Sequence, residues 1–228
     1  MAVYAGPEIV TNGLVLALDA GNRQSYPGSG TAWTDLSGIN SSGELVNTPT
    51  YNSSNFGYFQ FNATNTFARI PNSTALDTST PSVEVWVKTN NTNQYGFWFE
   101  KGTVNTQYSL FQEGTSICWR QLMGGNLQTL FTTTATYMNT ANWYQVVGTY
   151  TSPSRRLYIN GTLVNSDVIA GAISTNSGGM SIGVYGGYAG ARGYYYNGNL
   201  SICRVYNRAL TQAEIAQNFY ATRGRFGI

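Results

Sequence analysis

The acidic side chains are the first candidates for chemistry, because the sequence contains no histidine. Without histidine, Ser-His-Asp and Cys-His catalysis, histidine-ligated zinc and the usual general base at neutral pH are excluded. Glycoside hydrolysis stays open, since it needs only two carboxylates about 5–10 Å apart. The ten acids are Glu8, Asp19, Asp35, Glu44, Asp77, Glu84, Glu100, Glu113, Asp167 and Glu214.

Two of these acids lie in strand-like segments where a catalytic pair could form. Glu84 lies in the alternating segment 82–88, and Glu100 follows the aromatic residues 97–99. They could face each other on neighbouring strands. Each could instead be neutralised by a nearby cation, Glu84 by Lys88 and Glu100 by Lys101. We favour the second interpretation and predict no catalytic residue.

The segment 185–196 is the main candidate for ligand contact, because it is unusually rich in tyrosine and glycine. A tyrosine ring packs on apolar C–H surface while its hydroxyl hydrogen-bonds, which suits both a sugar and a protein interface. Glycines would let the segment approach a partner closely. The alternative is a plain hairpin, 181–185 returning through 194–196, with alternate tyrosines in the core. The predicted contact residues are Tyr185, Tyr188, Arg192, Tyr194, Tyr195 and Tyr196.

Composition excludes several classes of partner. Only 10% of residues are charged, the net charge is +2, and the only basic block is Arg155-Arg156, so nucleic-acid binding is not expected. No apolar run approaches 18 residues, and residues 1–5 do not resemble a signal peptide, so we expect neither membrane insertion nor secretion. Cys118 and Cys203 lack metal-ligand spacing and are predicted to be buried thiols.

The surrounding pattern predicts an all-β protein. Apolar alternation and glycine or asparagine turns indicate about a dozen strands, which favours a two-sheet antiparallel sandwich. Asn160-Gly161 is typical of a type I′ hairpin turn. Thr211 and Glu214 have capping-box spacing, which predicts one short C-terminal helix with Ile215 and Phe219 on its apolar face.

Other segments give more local expectations. Residues 23–43 are predicted to form a loop anchored by Trp33 and Leu36, and Trp86, Trp143 and the aromatic residues 97–99 are predicted to be core. Residues 223–225 are predicted to be a solvated tail. Residues 1–12 are interpreted as an arm that could reach a neighbouring molecule, and residues 13–228 as one domain.

Several segments, in order and spacing, resemble laminin-G-like domains of the concanavalin A-like lectin and glucanase superfamily. They are residues 13–20, 33–38, 83–88, 100–102, 143–150, 157–161, 197–200 and 205–210. The resemblance implies a jelly roll of two curved sheets that binds glycan or protein through rim loops, sometimes with calcium. Relatives often carry aspartates in the turn 61–66, where this sequence has amides. Since calcium prefers carboxylates, we predict no metal and no cofactor.

The front end and residues 214–228 resemble versions of this domain found in structural proteins of tailed phages. We therefore expect a non-enzymatic virion protein, either a capsid decoration or a tail or fibre component. It would be assembled in the host cytoplasm, contact other virion proteins, form homo-oligomers, and possess a surface able to contact glycans. The alternatives are a freestanding carbohydrate-binding lectin and, less favoured, a glycoside hydrolase.

Overall fold

A computed structural model describes residues 7–102, 106–187 and 193–228. Within these residues the chain forms two antiparallel sheets of eight strands, which we call sheet A and sheet B. Sheet A contains β1 (Leu14–Asp19), β4 (Thr50–Asn52), β5 (Tyr58–Asn62), β7 (Ser82–Thr89), β12 (Tyr144–Thr151), β13 (Ser154–Ile159), β14 (Thr162–Val168) and β16 (Asn197–Tyr206). Sheet B contains β2 (Ala32–Trp33), β3 (Gly43–Val46), β6 (Phe67–Ile70), β8 (Gln94–Gly102), β9 (Thr106–Gly114), β10 (Ser116–Met123), β11 (Asn126–Thr133) and β15 (Met180–Ile182).

Helical structure is confined to short elements in the described chain. They are the single turn α1 (Thr134–Tyr137), the C-terminal helix α2 (Gln212–Thr222) and 3-10 turns at Ser54–Phe56, Thr74–Leu76 and Arg223–Phe226. The capping box at the start of α2 is present, as predicted. None of the helices in the described residues is long and apolar enough to cross a membrane. The two-sheet sandwich with a C-terminal helix is therefore confirmed, and α1 is an addition to it.

The two sheets close over one apolar core. Val83, Val85 and Val87 of β7 point into it, while Trp86 on the same strand belongs to a separate cluster on the outer face of sheet A. This is the alternation that the sequence predicts for a strand. Cys118 and Cys203 are both free and buried, as predicted, and burial raises the pKa of the Cys118 thiol to about 12. Other large core residues are Trp33, Phe59, Phe61, Trp98, Phe99, Tyr108, Trp119 and Tyr196.

The C-terminal segment covers the outer face of sheet A. The ring of Phe226 stacks on Trp86, with centroids 4.3 Å apart, and also contacts Trp143 at 4.8 Å. Arg225 forms a bidentate ion pair with Asp19, at 2.6 and 2.9 Å. The prediction of a solvated tail at residues 223–225 is therefore wrong, because Arg225 pairs with Asp19 on β1 and the adjacent Phe226 ring packs on Trp86 and Trp143.

A buried polar network lies beneath this cover. Glu84 is fully buried and accepts hydrogen bonds from Arg204 at 2.9 Å, Gln145 at 3.0 Å, Asn218 at 2.8 Å and Trp86 Nε1 at 3.3 Å. The predicted partner Lys88 is not among these groups, so that pairing is wrong. The strand register explains the difference, since β16 places Arg204 directly opposite Glu84.

The predicted pair of Glu100 and Lys101 is also wrong. Neighbouring residues on a strand point to opposite faces, so the two side chains diverge. The Lys101 ammonium lies 2.7 Å from Asp77 and donates to the carbonyls of Asn176 and Gly178 at 3.0 and 2.6 Å. Burial lowers the pKa of Lys101, and hydrogen bonding to Asp77 opposes that shift.

The turn predictions divide into two groups. The hairpin between β13 and β14 has Asn160 and Gly161 at φ 51° and 77°, as a type I′ turn requires. Residues 23–43 are not wholly loop as predicted, because Ala32–Trp33 form the short strand β2, which pairs with β3. Trp33 is buried as predicted, but Leu36 is 37% exposed, so its anchoring role is wrong. Asp35 anchors the loop instead, accepting from the backbone amides of Ala17 at 2.8 Å and Ser41 at 3.1 Å.

The described part of the predicted arm contacts the domain itself. The amide of Val10 donates to Asn218 at 2.8 Å, and the Tyr206 hydroxyl donates to the Val10 carbonyl at 3.0 Å. Gln217 donates to the carbonyl of Glu8 at 2.8 Å. Residues 1–6 lie outside the described residues, so contact between an arm and a neighbouring molecule stays a prediction.

Candidate binding surface

A row of aromatic side chains crosses the outer face of sheet B. Phe97 on β8, Phe111 on β9, Cys118 on β10 and Phe131 on β11 lie directly opposite one another across four strands. The rings of Phe97 and Phe111 stack, with centroids 4.4 Å apart and planes 3° from parallel. A β-bulge follows Phe97, which leaves this ring on the outer face while Trp98 and Phe99 enter the core.

The tyrosine segment folds onto this row. The amide of Tyr185 donates to the Gly193 carbonyl at 3.3 Å, and the amide of Tyr196 donates to the Gly183 carbonyl at 2.9 Å. These bonds join the two ends of the segment, but residues 183–187 and 193–196 form no strand, and β15 and β16 belong to different sheets, so the plain hairpin is not formed. Glu100, buried on β8, accepts from the Gly186 amide and from Thr106 at 2.6 Å, and so holds the segment against sheet B.

The predicted contact residues in the described part of the segment 185–196 separate into two groups. Tyr196 belongs to the core, and Tyr195 is half-buried with its ring 6.4 Å from that of Phe67. Tyr185 and Tyr194 lie on the outer face, where Tyr185 contacts Phe97 at 5.0 Å and Tyr194 contacts Tyr95 at 4.1 Å between ring centroids. Two further predicted residues, Tyr188 and Arg192, lie outside the described residues.

Five side chains enclose a cavity of about 250 Å³, which we call the aromatic groove. They are Tyr95, Phe97, Arg120, Tyr185 and Tyr194. Tyr194 is 51% exposed and has a left-handed backbone, φ 57°, which is costly for a bulky residue. The ring of Tyr194 therefore faces solvent, and the surrounding hydrogen bonds must hold its backbone in this conformation.

Arg120 is the cation of this surface. Its guanidinium lies 4.3 Å from the centroid of the Phe111 ring and reaches Glu113 at 3.2 Å. Glu113 lines a second cavity of about 320 Å³, which extends to Phe131 on β11. The Arg120–Glu113 ion pair thus stands between two cavities on one aromatic row. Burial raises the pKa of Tyr95, and its hydrogen bond with Arg120 opposes that shift.

Comparison with known proteins agrees with this architecture. Residues 61–216 match the family Laminin_G_3, described as the concanavalin A-like lectin/glucanases superfamily. The chain belongs to this superfamily. No curated protein matches it.

Solved structures show the same fold at low sequence identity. The binding domain of Paraclostridial Mosquitocidal Protein 1 superposes with a TM-score of 0.71 and 18% identity, over 92% of this chain and 52% of that one. The botulinum neurotoxin serotype G binding domain gives 0.71 and 15%, over 91% and 50%. The receptor binding domain of the botulinum neurotoxin C/D mosaic serotype gives 0.71 and 18%, over 92% and 51%. The chain spans about half the length of these proteins.

The turn at residues 61–66 is held by the side chain of Asn62. The side-chain oxygen of Asn62 accepts from the amides of Thr64, Asn65 and Thr66 at 3.0 to 3.2 Å, so the amide holds the turn together. Within the described residues no group of three or more His, Cys, Asp or Glu side chains could hold a metal.

Sequence reasoning found Tyr185 and Tyr194 but missed Tyr95 and Arg120. The signal for Tyr95 was present, because it is two positions from Phe97 and so shares its face. The sequence signal for Arg120 was weaker, because its place beside Phe111 depends on which strand pairs with β10. The two acids considered for catalysis, Glu84 and Glu100, are both buried within hydrogen-bonded networks rather than facing a groove.

Proposed function

We propose that this protein is a non-enzymatic binding domain that contacts a glycan at the aromatic groove. One observation carries the proposal. The chain covers the outer aromatic residues of sheet A with its own C-terminal segment. On sheet B, where Phe97 and Phe111 are themselves buried, the rings of Tyr194 and Phe131 stay 51% and 60% exposed. Exposed aromatic surface that the chain does not bury is typical of an interaction site.

The groove has the chemistry that a sugar requires. The faces of Tyr185 and Tyr194 can pack on the C–H face of a pyranose ring, while their hydroxyls exchange hydrogen bonds with its hydroxyls. Arg120 supplies N–H donors at one wall. The cavity of about 250 Å³ is near the lower end of small-ligand sites, so it suits one sugar ring, and the cavity beyond Arg120 can take a second.

Two further findings support binding rather than catalysis. The structurally similar proteins are named as binding or receptor binding domains. None of the five residues that line the groove is acidic, and Glu113, which lines the neighbouring cavity, is paired with Arg120. A retaining or inverting glycosidase needs two carboxylates on either side of the scissile bond. Glu84 and Glu100 do not meet that need, because both are buried with their own partners.

A second part of the proposal concerns where the protein works. The resemblance of the front end and residues 214–228 to versions of this domain in structural proteins of tailed phages favours a virion component, either a capsid decoration or a tail or fibre part. In that setting the domain would contact other virion proteins, form homo-oligomers and present its groove at the particle surface. Mass spectrometry of purified virions should then show this chain in multiple copies, and its absence from every particle fraction would contradict the assignment.

Glycan binding is tested by an array followed by titration with the strongest ligand. Tyr194→Ala and Tyr185→Ala should each weaken binding about two- to tenfold, since one aromatic stacking contact is worth about 0.5–1.5 kcal/mol. The matched control is Tyr220→Ala, because Tyr220 on α2 is similarly exposed, at 50%, but lies on the other sheet's cover. A silent array, or equal affinities for Tyr194→Ala and the wild type, would refute the groove as a glycan site. An array without binding, together with symmetric oligomers in solution, would favour a purely structural role in a virus particle.

A further inference from the structure

A larger cavity, about 530 Å³, lies at the end of β1, between the loop that follows that strand and the C-terminal turn. Its volume is within the range of small-molecule sites. It shares no residue with the aromatic groove, and we call it the arginine cavity. Its lining residues are Asp19, Gly21, Asn22, Arg23, Phe56, Ala221, Gly224 and Arg225.

Phe56 at this cavity is both exposed and strained. Its side chain is 70% exposed, and its backbone is left-handed at φ 65°, next to Asn55 at φ 51°. A large ring gains little from such a position, and the backbone conformation is costly for a residue other than glycine. Hydrogen bonds maintain it, from the Gly57 amide to the Ser54 carbonyl at 2.9 Å and from Asn55 to the Arg225 carbonyl at 3.1 Å. Such strain without burial points to a functional use of the ring.

The charges of the cavity leave one cation available. Both oxygens of Asp19 accept from Arg225, and one also accepts from the Gly21 amide at 2.8 Å, so this pair is neutral and held in place. Arg23 is exposed, and none of the ion pairs formed by the described residues includes it. The turn that carries Arg23 is ordered by the Asn22 side chain, which accepts from the Gln24 amide at 2.9 Å.

We infer that the arginine cavity binds a small carboxylic acid built on a ring with an apolar face, as in a uronic acid. The C–H face of such a ring packs on Phe56, as aromatic residues pack on apolar surface. The carboxylate accepts hydrogen bonds from the guanidinium of Arg23, whose planar fork matches its two oxygens. The neutral Asp19–Arg225 pair forms the polar wall and does not repel the anion.

The test compares two sugars that differ only in charge, methyl glucuronide and methyl glucoside, by NMR titration of the full chain. The glucuronide should bind with a dissociation constant of roughly 1–10 mM, and the glucoside at least about tenfold more weakly, which corresponds to about 1.4 kcal/mol. The largest amide shifts should fall on residues 19–25, 54–57 and 221–225. Arg23→Ala should weaken glucuronide binding at least about fivefold. Arg156→Ala, at an exposed arginine on β13, is the matched control and should bind as the wild type does.

A second variant guards against loss of fold. Phe56→Gly removes the strain of the left-handed backbone, so the variant should fold. It should nevertheless bind the glucuronide several-fold more weakly than the wild type, because the ring that packs on the sugar is lost. Equal binding of the two sugars, or wild-type affinity in Arg23→Ala, would overturn the inference. Shifts confined to residues around Tyr95 and Tyr185 would also overturn it, and would place the acid in the aromatic groove instead. Glycan binding at the groove can succeed or fail independently, because the two sites share no side chain.

Discussion

The outer face of sheet A carries Trp86 and Trp143 beneath the rings of Phe219 and Phe226. The outer face of sheet B carries Phe97 and Phe111, which Tyr95, Tyr185 and the Arg120 guanidinium cover. Cavities lie on either side of that guanidinium, and the rings of Tyr194 and Phe131 at the edges of this face stay exposed. Both faces thus display aromatic residues at outward strand positions. Whether such a residue becomes core or binding surface is decided by what a distant part of the chain places over it.

The ion pairs on the two faces differ in the same way. Glu84 and Arg204 are 2.9 Å apart with both side chains buried, and three other donors complete the hydrogen bonding of the carboxylate. Glu113 and Arg120 are 3.2 Å apart, and although the Arg120 side chain is 13% exposed, the Glu113 side chain is 44% exposed, so water reaches this pair. A buried charge that loses its partner is strongly destabilising, whereas an exposed pair contributes little. One pair therefore belongs to the fold, and the other can serve a ligand.

The largest effect is expected from Glu84→Gln. This change leaves the Arg204 cation buried without a counter-charge, and should lower the free energy of unfolding by about 3–5 kcal/mol. Urea denaturation at neutral pH measures the difference. Glu113→Gln is the matched control on the open face, and should change the free energy of unfolding by less than about 1 kcal/mol. Similar losses in the two variants would show that the covered and open faces do not differ as argued.

Alkaline pH should unfold the protein through its buried tyrosines. Burial raises the pKa of Tyr108, Tyr196 and Tyr206 above the ordinary value of 10.0. Above pH 10 the unfolded chain releases these protons and the folded chain keeps them, so their stabilising contribution is complete below pH 10 and is lost as pH rises. Each group lowers the free energy of unfolding by about 1.4 kcal/mol per pH unit.

This pH dependence also separates the two faces. Tyr206 lies beneath the cover of sheet A, where it hydrogen-bonds to Val10 and Asn218, whereas Tyr95 borders the aromatic groove. Tyr206→Phe should therefore reduce the slope of stability against pH between 10 and 11 more than Tyr95→Phe does. Urea unfolding at a series of pH values, with tyrosinate absorbance recorded in parallel, measures both slopes. Equal slopes in the two variants would contradict the difference in burial.

Much of the fold could be predicted because its signals are local. The Asn160-Gly161 turn and the Thr211–Glu214 capping box each depend on residues within four positions, and both are present. Partners of charged side chains could not be predicted in this way. Glu84 meets Arg204 from 120 positions away, and Asp19 meets Arg225 from 206 positions away. A sequence pattern assigns a residue to a face, but sheet register decides which cation stands opposite.

The candidate site was predicted in part for the same reason. Tyrosines 185 and 194 belong to one short segment whose composition is itself unusual, and both reach the groove. Tyr95 and Arg120 come from β8 and β10. Strict alternation from the core residue Phe99 would have placed Phe97 and Tyr95 in the core, and the bulge after Phe97 puts them on the outer face instead. A contact set built from several strands depends on that bulge and on the pairing of β8 with β9 and β10.

The smallest expected change has the opposite sign and concerns the two exposed aromatic residues with left-handed backbones, Phe56 and Tyr194. Glycine adopts such a backbone at no steric cost, so Phe56→Gly and Tyr194→Gly should each raise the free energy of unfolding. The gain should be about 1 kcal/mol or less, because glycine also gives the unfolded chain more conformational freedom. For a domain of this size the melting temperature should rise by about 2–4 °C at most. Each variant should at the same time lose ligand at its own site, glucuronide for Phe56→Gly and glycan for Tyr194→Gly. Residues retained for stability would show the reverse, since their replacement lowers the melting temperature. A fall in melting temperature with unchanged binding would therefore mean that these two rings stabilise the fold, and that neither the aromatic groove nor the arginine cavity uses them to bind a ligand.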